Sequence, residues 1–115
     1  MISTYDLGRQ PFGLASPTAW LREAGVEVTC ADLAKERLPL ESARAATLIA
    51  FFLPMHTATR LMEPVVRRVR ECNPSAHLCA YGVYAPLNER WLRTSTPRLT
   101  PAWQHSTRWR RLPAP

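Results

Sequence analysis

Glycine and cysteine are scarce in this chain, and the cofactor motifs that these residues usually build are missing. Only 4 glycines occur in 115 residues. Gly8 and Gly13 are not spaced as G-x-G-x-x-G, which excludes a dinucleotide fingerprint, and no P-loop lysine followed by Ser or Thr is present. The 3 cysteines form no C-x-x-C pair and no triple cluster, which excludes the common zinc and iron–sulfur motifs.

Long apolar runs are also absent. The longest, Leu48 to Met55, is too short to cross a bilayer and fits a buried strand, so we expect no membrane partner. The first residues lack a basic region followed by an apolar core, so we expect no secretory signal. Cys30, Cys72 and Cys79 are odd in number and irregularly spaced, which favours reduced core thiols in a cytoplasmic protein.

Acidic residues are missing from the last part of the chain. The formal net charge is +6, but residues 1–93 hold 11 basic and 9 acidic side chains, and residues 94–115 hold four arginines and no acid. The charge therefore says little about what the rest of the chain binds, and we expect no nucleic-acid partner. Residues 94–115 are rich in proline and show neither helical nor strand periodicity, so we predict a basic, disordered tail.

Apolar stretches of strand length alternate with stretches of helical spacing in residues 1–93. The predicted strands are Ile2–Tyr5, Val26–Ala31, Thr47–Leu53 and Ala76–Tyr81. The predicted helices are Pro17–Ala24, Glu41–Ala46, Ala58–Cys72 and Pro86–Arg93. This alternation predicts an α/β fold, a Rossmann-like or flavodoxin-like three-layer sandwich. We expect a parallel sheet of order 2-1-3-4 that lacks the usual fifth strand, so that the domain is incomplete at its C-terminal edge.

Helix boundaries follow from individual residues. Ser16 is a good N-cap, Pro17 suits a first helical position, and Gly25 suits a C-terminal stop. Pro64 lies inside the long third helix and removes a backbone donor, so we expect a bend or a restart there.

Three loops are expected at the carboxyl edge of the sheet, where open parallel sheets bind their ligands. They are Tyr5–Gly13, Pro54–Thr59 and Gly82–Asn88, and the first two face each other across the switch point in strand order. The second loop leads into a helix N-terminus, whose backbone donors suit a phosphate or an amide oxygen. Thr57 has an alternative role as the N-cap of that helix.

The segments Ile2–Pro17, Phe51–Arg60 and Tyr81–Asn88 resemble the N-terminal cobalamin-binding domain of cobalamin-dependent radical SAM proteins, and the resemblance covers residues 1–93. It implies a Rossmann-like domain that holds cobalamin at the carboxyl ends of the strands. In that family a second domain with a C-x-x-x-C-x-x-C iron–sulfur site cleaves S-adenosylmethionine, and the cobalamin often relays a methyl group. That motif does not occur in this chain, so we expect no iron–sulfur cluster and no enzyme activity from it alone.

The cofactor-binding residues that the resemblance implies lie on these loops or at the strand ends that lead into them. They are Thr4, Tyr5, Asp6, Leu7, Gly8, Arg9, Pro54, Met55, His56, Thr57, Ala58, Thr59, Tyr81, Gly82, Tyr84 and Ala85. The tyrosines have an alternative role as caps of the core, with their hydroxyl groups in water.

The first loop departs from the better-known corrinoid pattern. Many corrinoid domains carry D-x-H-x-x-G, whose histidine ligates cobalt from below, whereas here Asp6 is followed by Leu7 and then by Gly8 at the histidine position. A glycine has no side chain that can coordinate cobalt, so this loop supplies no lower ligand. His56 on the second loop has two open roles, approach to the corrin or a solvent-facing position.

Two questions stay open at the level of sequence. The function is either that of a cobalamin-binding module or that of a flavodoxin-like regulatory or interaction domain, or a non-functional fragment, with no cofactor. The change of composition after Arg93 is either a frameshift that replaces the expected fifth strand and helix or a genuine basic tail.

Overall fold

The computed structural model describes residues 1–7, 11–95 and 99–101, and these residues form one parallel sheet with helices on both faces. The strand order is β2-β1-β3-β4-β5. The described strands are β1 (Ile2–Ser3), β2 (Ala31–Asp32), β3 (Leu48–Phe52), β4 (His77–Tyr81) and β5 (Leu99–Pro101). The described helices are α1 (Phe12–Glu23), α2 (Leu40–Ala45), α3 (His56–Cys72), α4 (Tyr84–Leu87) and α5 (Glu89–Ser95). The α/β class and the order of the first four strands are confirmed.

Strand β5 corrects two predictions, that the sheet lacks a fifth strand and that the folded domain ends at residue 93. Helix α5 continues to Ser95, and β5 pairs in parallel with β4, with Leu99 opposite Leu78. Leu99 is buried in the core. Three residues are too few to show a strand period, and the proline at the end of β5 is tolerated because proline occurs at sheet edges. Residues 102–115 lie outside the described residues, so their disorder stays a prediction, as does the frameshift.

Helix α1 begins earlier than predicted. It starts at Phe12, with Pro11 as an N-cap of extended conformation, so Ser16 is not the cap and Pro17 lies inside the helix. Proline fits a helical backbone angle, but it has no N–H to donate to the carbonyl oxygen of the residue four positions earlier, Gly13. The helix ends as predicted at Gly25, whose φ of 83° is left-handed.

Two other predicted elements differ from the structure. Only the last residue of the predicted strand Val26–Ala31 belongs to β2. Ile2, the first residue of β1, pairs with Ala31, so residues 26–29 have no residue of β1 opposite them. The predicted helix Pro86–Arg93 is divided at Asn88 into α4 and α5.

Helix α3 also starts and continues differently from the sequence expectation. Its N-cap is Met55, so Thr57 lies in the first turn and is not the cap. It continues through Pro64 without a break, because the helix buries five side chains against the rest of the molecule, which compensates for one missing backbone donor.

The main core lies on one side of the sheet, which we call the α3 face. Successive residues of a strand point to opposite faces, and on this face Ile2, Ile49, Phe51 and Leu78 are all at most 5% exposed. They pack in one apolar cluster with residues of α2, α3, α4 and α5, among them Ala43, Met62, Val66, Val69, Ala85 and Leu92. The α3 face therefore accounts for most of the buried apolar surface of the described residues.

The other side of the sheet, the α1 face, is more polar. It carries Ser3, Phe52 and Tyr81, which are aligned by the strand register, and of the described helices α1 packs on it. Helix α1 buries only Leu14 and Thr18. The two faces thus differ in both the number of covering helices and the polarity of their side chains.

Asn73 joins the ends of α2 and α3. Its buried amide nitrogen lies 2.8 Å from the carbonyl oxygens of Ala43 and Ala46 and 3.1 Å from that of Arg44, so its two hydrogens are shared among three acceptors. Its amide oxygen accepts the backbone N–H of Ala76 at 3.1 Å. One side chain therefore supplies donors to the free carbonyl groups at the end of α2.

Candidate functional site at the carboxyl edge

The three loops predicted at the carboxyl edge are connected by hydrogen bonds. The Thr4 hydroxyl after β1 donates to the carbonyl oxygen of Ala58 in α3 at 2.9 Å. After β3, the N–H of Leu53 donates to the carbonyl oxygen of Tyr81 at 2.8 Å, and the N–H of Tyr84 donates to that of Leu53 at 3.1 Å. The prediction that these loops share one edge is confirmed.

Tyr81 closes this edge on the α1 face. Its hydroxyl donates to the carbonyl oxygen of Gly13 at 2.6 Å, which supplies the donor that Pro17 lacks. The ring of Tyr81 lies 5.4 Å from that of Phe52, and the Phe52 ring occupies the space that a β-carbon of Gly13 would need. Burial raises the pKa of the Tyr81 hydroxyl, so it stays protonated and remains a donor at neutral pH.

Gly82 is required by the turn after β4. Its φ is 103°, a left-handed conformation that favours glycine. A β-carbon there would lie 2.7 Å from the carbonyl oxygen of Leu53, an atom that accepts a backbone hydrogen bond. The third loop can therefore approach the second only because residue 82 has no side chain.

Several predicted site residues have internal roles in the described structure. Thr4, Ala58, Thr59 and Ala85 are buried, and the Thr59 hydroxyl donates to the carbonyl oxygen of Met55 at 3.1 Å. The hydroxyl groups of Thr4 and Tyr81 likewise donate to backbone carbonyl oxygens. The three hydroxyl groups are therefore used within the protein and are not directed toward a ligand. They hold the loops together.

The other predicted residues are accessible, apart from Gly8 and Arg9, which lie outside the described residues. Leu7, His56 and Thr57 are exposed, and His56 is the first residue of α3. The half-buried residues of the predicted site are Tyr5, Asp6, Pro54, Met55, Tyr81, Gly82 and Tyr84.

Large apolar side chains are exposed at this edge. Leu7 on the first loop is 61% exposed, and its φ of 50° is unusual for a residue with a branched side chain. Val83 and Leu87, on the third loop and at the end of α4, are each 71% exposed. The sequence prediction omitted Val83 and Leu87, although their position beside Gly82 and Pro86 on a predicted loop was a usable signal. We call Leu7, Val83 and Leu87 the apolar rim.

The start of α3 adds backbone donors to the same edge. Its N-cap, Met55, is extended and makes no side-chain capping hydrogen bond, and the first turn contains no acidic residue. The N–H groups in the first turn of a helix have no acceptor inside the helix. In α3 the side chain of the N-cap residue does not accept a hydrogen bond from them. A polar group of a ligand at this edge would find donors there.

A cavity of about 550 Å³ lies at the opposite, amino edge of the sheet. It opens between the end of α1, residues 26–29 and α2, and its lining includes Leu21, Val26, Pro39 and Leu48. The lining is mainly apolar, and its polar residues are Glu27, Thr29, Ser42 and Thr47.

The described residues contain neither a cluster of metal-binding side chains nor a helix that could span a membrane. Within the part of the chain that the structure describes, no group of three or more His, Cys, Asp and Glu side chains is arranged to hold a metal ion. None of the described helices is long and apolar enough to cross a membrane. Comparisons of the chain with models of protein families, with curated proteins and with solved structures found no match.

Proposed function

We propose that the carboxyl edge of the sheet binds a corrinoid, with cobalamin as the expected form. The observation that carries the proposal is the apolar rim, in which Leu7 is exposed on the first loop and Val83 and Leu87 are exposed on the third. Large apolar side chains exposed along one edge of a sheet indicate an interaction site. A corrin ring fits this chemistry, because its faces are apolar and its periphery carries amide groups.

The polar groups at the edge match that periphery. The uncapped first turn of α3 supplies backbone donors for amide oxygens, and the half-buried rings of Tyr5 and Tyr84 add surface suited to a flat macrocycle. The hydrogen bonds from Thr4 to Ala58 and from Tyr81 to Gly13 close the space between the loops. The ring would therefore lie over the edge and contact the rim, with the deeper residues as its support.

His56 is the described histidine of this edge, and an imidazole can coordinate cobalt. Bound cobalamin would supply a cobalt centre that carries an alkyl group. The proposed partner is a radical SAM domain or subunit, as the family resemblance of residues 1–93 implies.

The test is retention of corrinoid by the folded protein. Hydroxocobalamin is added, free cofactor is removed by gel filtration, and the corrinoid absorbance that elutes with the protein is measured. Val83→Ser removes an apolar contact of the rim and is expected to weaken binding roughly tenfold. Val26→Ser is the matched control, because Val26 is 47% exposed but lies at the amino edge, and it should leave retention unchanged.

Two outcomes would overturn the proposal. A folded wild-type protein that retains no corrinoid would favour the regulatory or interaction domain, and equal losses in the Val83 and Val26 variants would show that the rim is not the site. The variant His56→Ala separates binding from ligation. A changed absorbance spectrum with unchanged retention would assign cobalt coordination to His56, whereas an unchanged spectrum would leave a site without a histidine ligand.

A further inference from the structure

Helix α1 has the composition of an interior helix but lies at the surface. Its first ten residues contain no charge, and it buries only Leu14 and Thr18 against the sheet. On the opposite side Phe12 is 81% exposed and Trp20 is 76% exposed. A helix that is apolar on all sides is normally covered on all sides, so the outer side of α1 lacks a partner among the described residues.

The exposed side chains of α1 form one continuous stripe. Phe12, Ser16 and Trp20 follow each other at intervals of four residues, which places them on the same side of the helix. Ala15 and Ala19 are exposed beside them. The stripe thus has an aromatic ring at each end and small side chains in the middle. We call these five residues the α1 stripe.

We propose that the α1 stripe is the interface of a homodimer in which two copies of α1 pack antiparallel about a twofold axis at Ser16. In this arrangement Phe12 of one copy lies against the partner's Trp20, and Trp20 lies against the partner's Phe12. The small residues at the centre allow the two backbones to approach closely. Such a contact is isologous, as expected of the commonest soluble oligomers.

The available area and the charge both favour a second copy. Four aromatic side chains of this exposure would bury roughly 500–800 Å² in the dimer, about half of a standard interface, and the exposed Ala15, Ser16 and Ala19 add to that area, so we expect a reversible dimer. The stripe contains no charged residue, so the two copies do not repel each other. An acidic or basic partner would find no complementary group on it.

The test is the oligomeric state across a concentration series, measured by sedimentation or by light scattering after gel filtration. Wild type is expected to dimerise reversibly. Trp20→Glu and Phe12→Lys should each weaken the dimer by about 30-fold or more, because by symmetry each removes one aromatic ring from both end contacts. Leu61→Lys is the control, since Leu61 is an apolar residue that is 46% exposed on α3, outside the stripe. Circular dichroism verifies that each variant is folded.

Mixing the Phe12→Lys protein with the Trp20→Glu protein tests the antiparallel geometry. In the mixed dimer the lysine of one copy lies opposite the partner's glutamate, and the remaining Trp20 lies opposite the partner's Phe12, so the mixed dimer should form more tightly than the dimer of either variant alone. The proposal is overturned if wild type is a monomer at all concentrations, if Trp20→Glu dimerises like wild type, or if the mixture associates no more tightly than the separate variants. Binding of the stripe to a different protein would appear as the first of these outcomes. Corrinoid retention plays no part in this test.

Discussion

Phe51 and Phe52 are neighbours in β3, yet they meet very different surroundings. Phe51 points to the α3 face, is 1% exposed and belongs to the apolar cluster that α2, α3 and α5 cover. Phe52 points to the α1 face, is half-buried and contacts Gly13 and Tyr81. The comparison shows that one face supplies the stability of the fold and the other carries less regular, more polar contacts.

The polar groups of the α1 face support this division. The Ser3 hydroxyl is buried and has no hydrogen-bond partner among the described residues. Thr18 lies 2.9 Å from the sulfur of Cys30 and 3.3 Å from that of Met1. A buried hydroxyl without a partner costs about 1–3 kcal/mol, a cost that the fold can tolerate when the other face is well packed.

The largest expected effect separates the two phenylalanines. Phe51→Ala should lower the free energy of unfolding by about 3–5 kcal/mol, because it leaves a cavity in the close-packed α3 face. Phe52→Ala should cost roughly half as much, since solvent and small shifts of α1 can fill the space. Denaturant unfolding measures both. Equal losses would mean that the two faces are packed equally well.

A smaller effect concerns pH and the α1 face. Burial raises the pKa of the Cys79 thiol from 9.0 to about 11. The folded protein therefore holds this proton more tightly than the unfolded chain, so the associated stability is complete below pH 9 and is lost as the pH rises toward 11. The loss is about 2–3 kcal/mol.

The variant Cys79→Ala isolates this contribution. It should show a smaller decrease of stability between pH 9 and pH 11 than wild type, when both are followed by urea unfolding. Tyr81 remains in both proteins and keeps part of the decrease. A variant with the slope of wild type would show that the thiol is accessible to water and that this part of the α1 face is open.

The smallest effect tests the contact between α1 and the sheet. Alanine normally stabilises a helix by about 1 kcal/mol relative to glycine, but Gly13→Ala should destabilise the protein by about 1–2 kcal/mol, because the new methyl group meets the Phe52 ring. In a Phe52→Ala background the same change should be stabilising. Thermal unfolding of the four proteins gives the coupling, and an absence of coupling would place α1 farther from the sheet.

Strands β3 and β4 could be predicted because their apolar residues are continuous and numerous. The predicted strands 47–53 and 76–81 agree with β3 and β4 within one residue at each end. The helical spacing of Met62, Val66 and Val69 predicts α3. These signals are strong because burial on the α3 face selects apolar side chains at regular intervals. The order of the first four strands then followed from the alternation of strands and helices.

The features that sequence did not reveal depend on contacts between distant residues. Helix α1 starts at Phe12 and contains Pro17, which leaves the carbonyl oxygen of Gly13 without a donor from the helix. The donor is the hydroxyl of Tyr81, which is 68 positions away in the sequence. Strand β5 has three residues and ends in a proline, so its stability comes from pairing with β4 and from burial of Leu99. Neither feature leaves a periodic pattern.

The candidate site was predicted only in part. Its position at the carboxyl edge followed from the fold, but the distinction between supporting and accessible residues did not. Thr4 and Thr59 are polar residues of the predicted site, and only the structure shows that their hydroxyl groups donate to backbone carbonyls. Conversely, Val83 and Leu87 are apolar, which in a sequence suggests burial, yet both are exposed.

The few buried anchors of α1 have a consequence for motion. Helix α3 is held by five buried side chains, whereas α1 is held by Leu14, Thr18 and the bond to Tyr81. Amide hydrogen exchange should therefore find that α1 opens with a lower free energy than α3, as a separate local event. Such opening would move the α1 stripe and the start of α1 away from the sheet together, while the core stays intact. Association of two copies and access to the carboxyl edge would then depend on the same local motion.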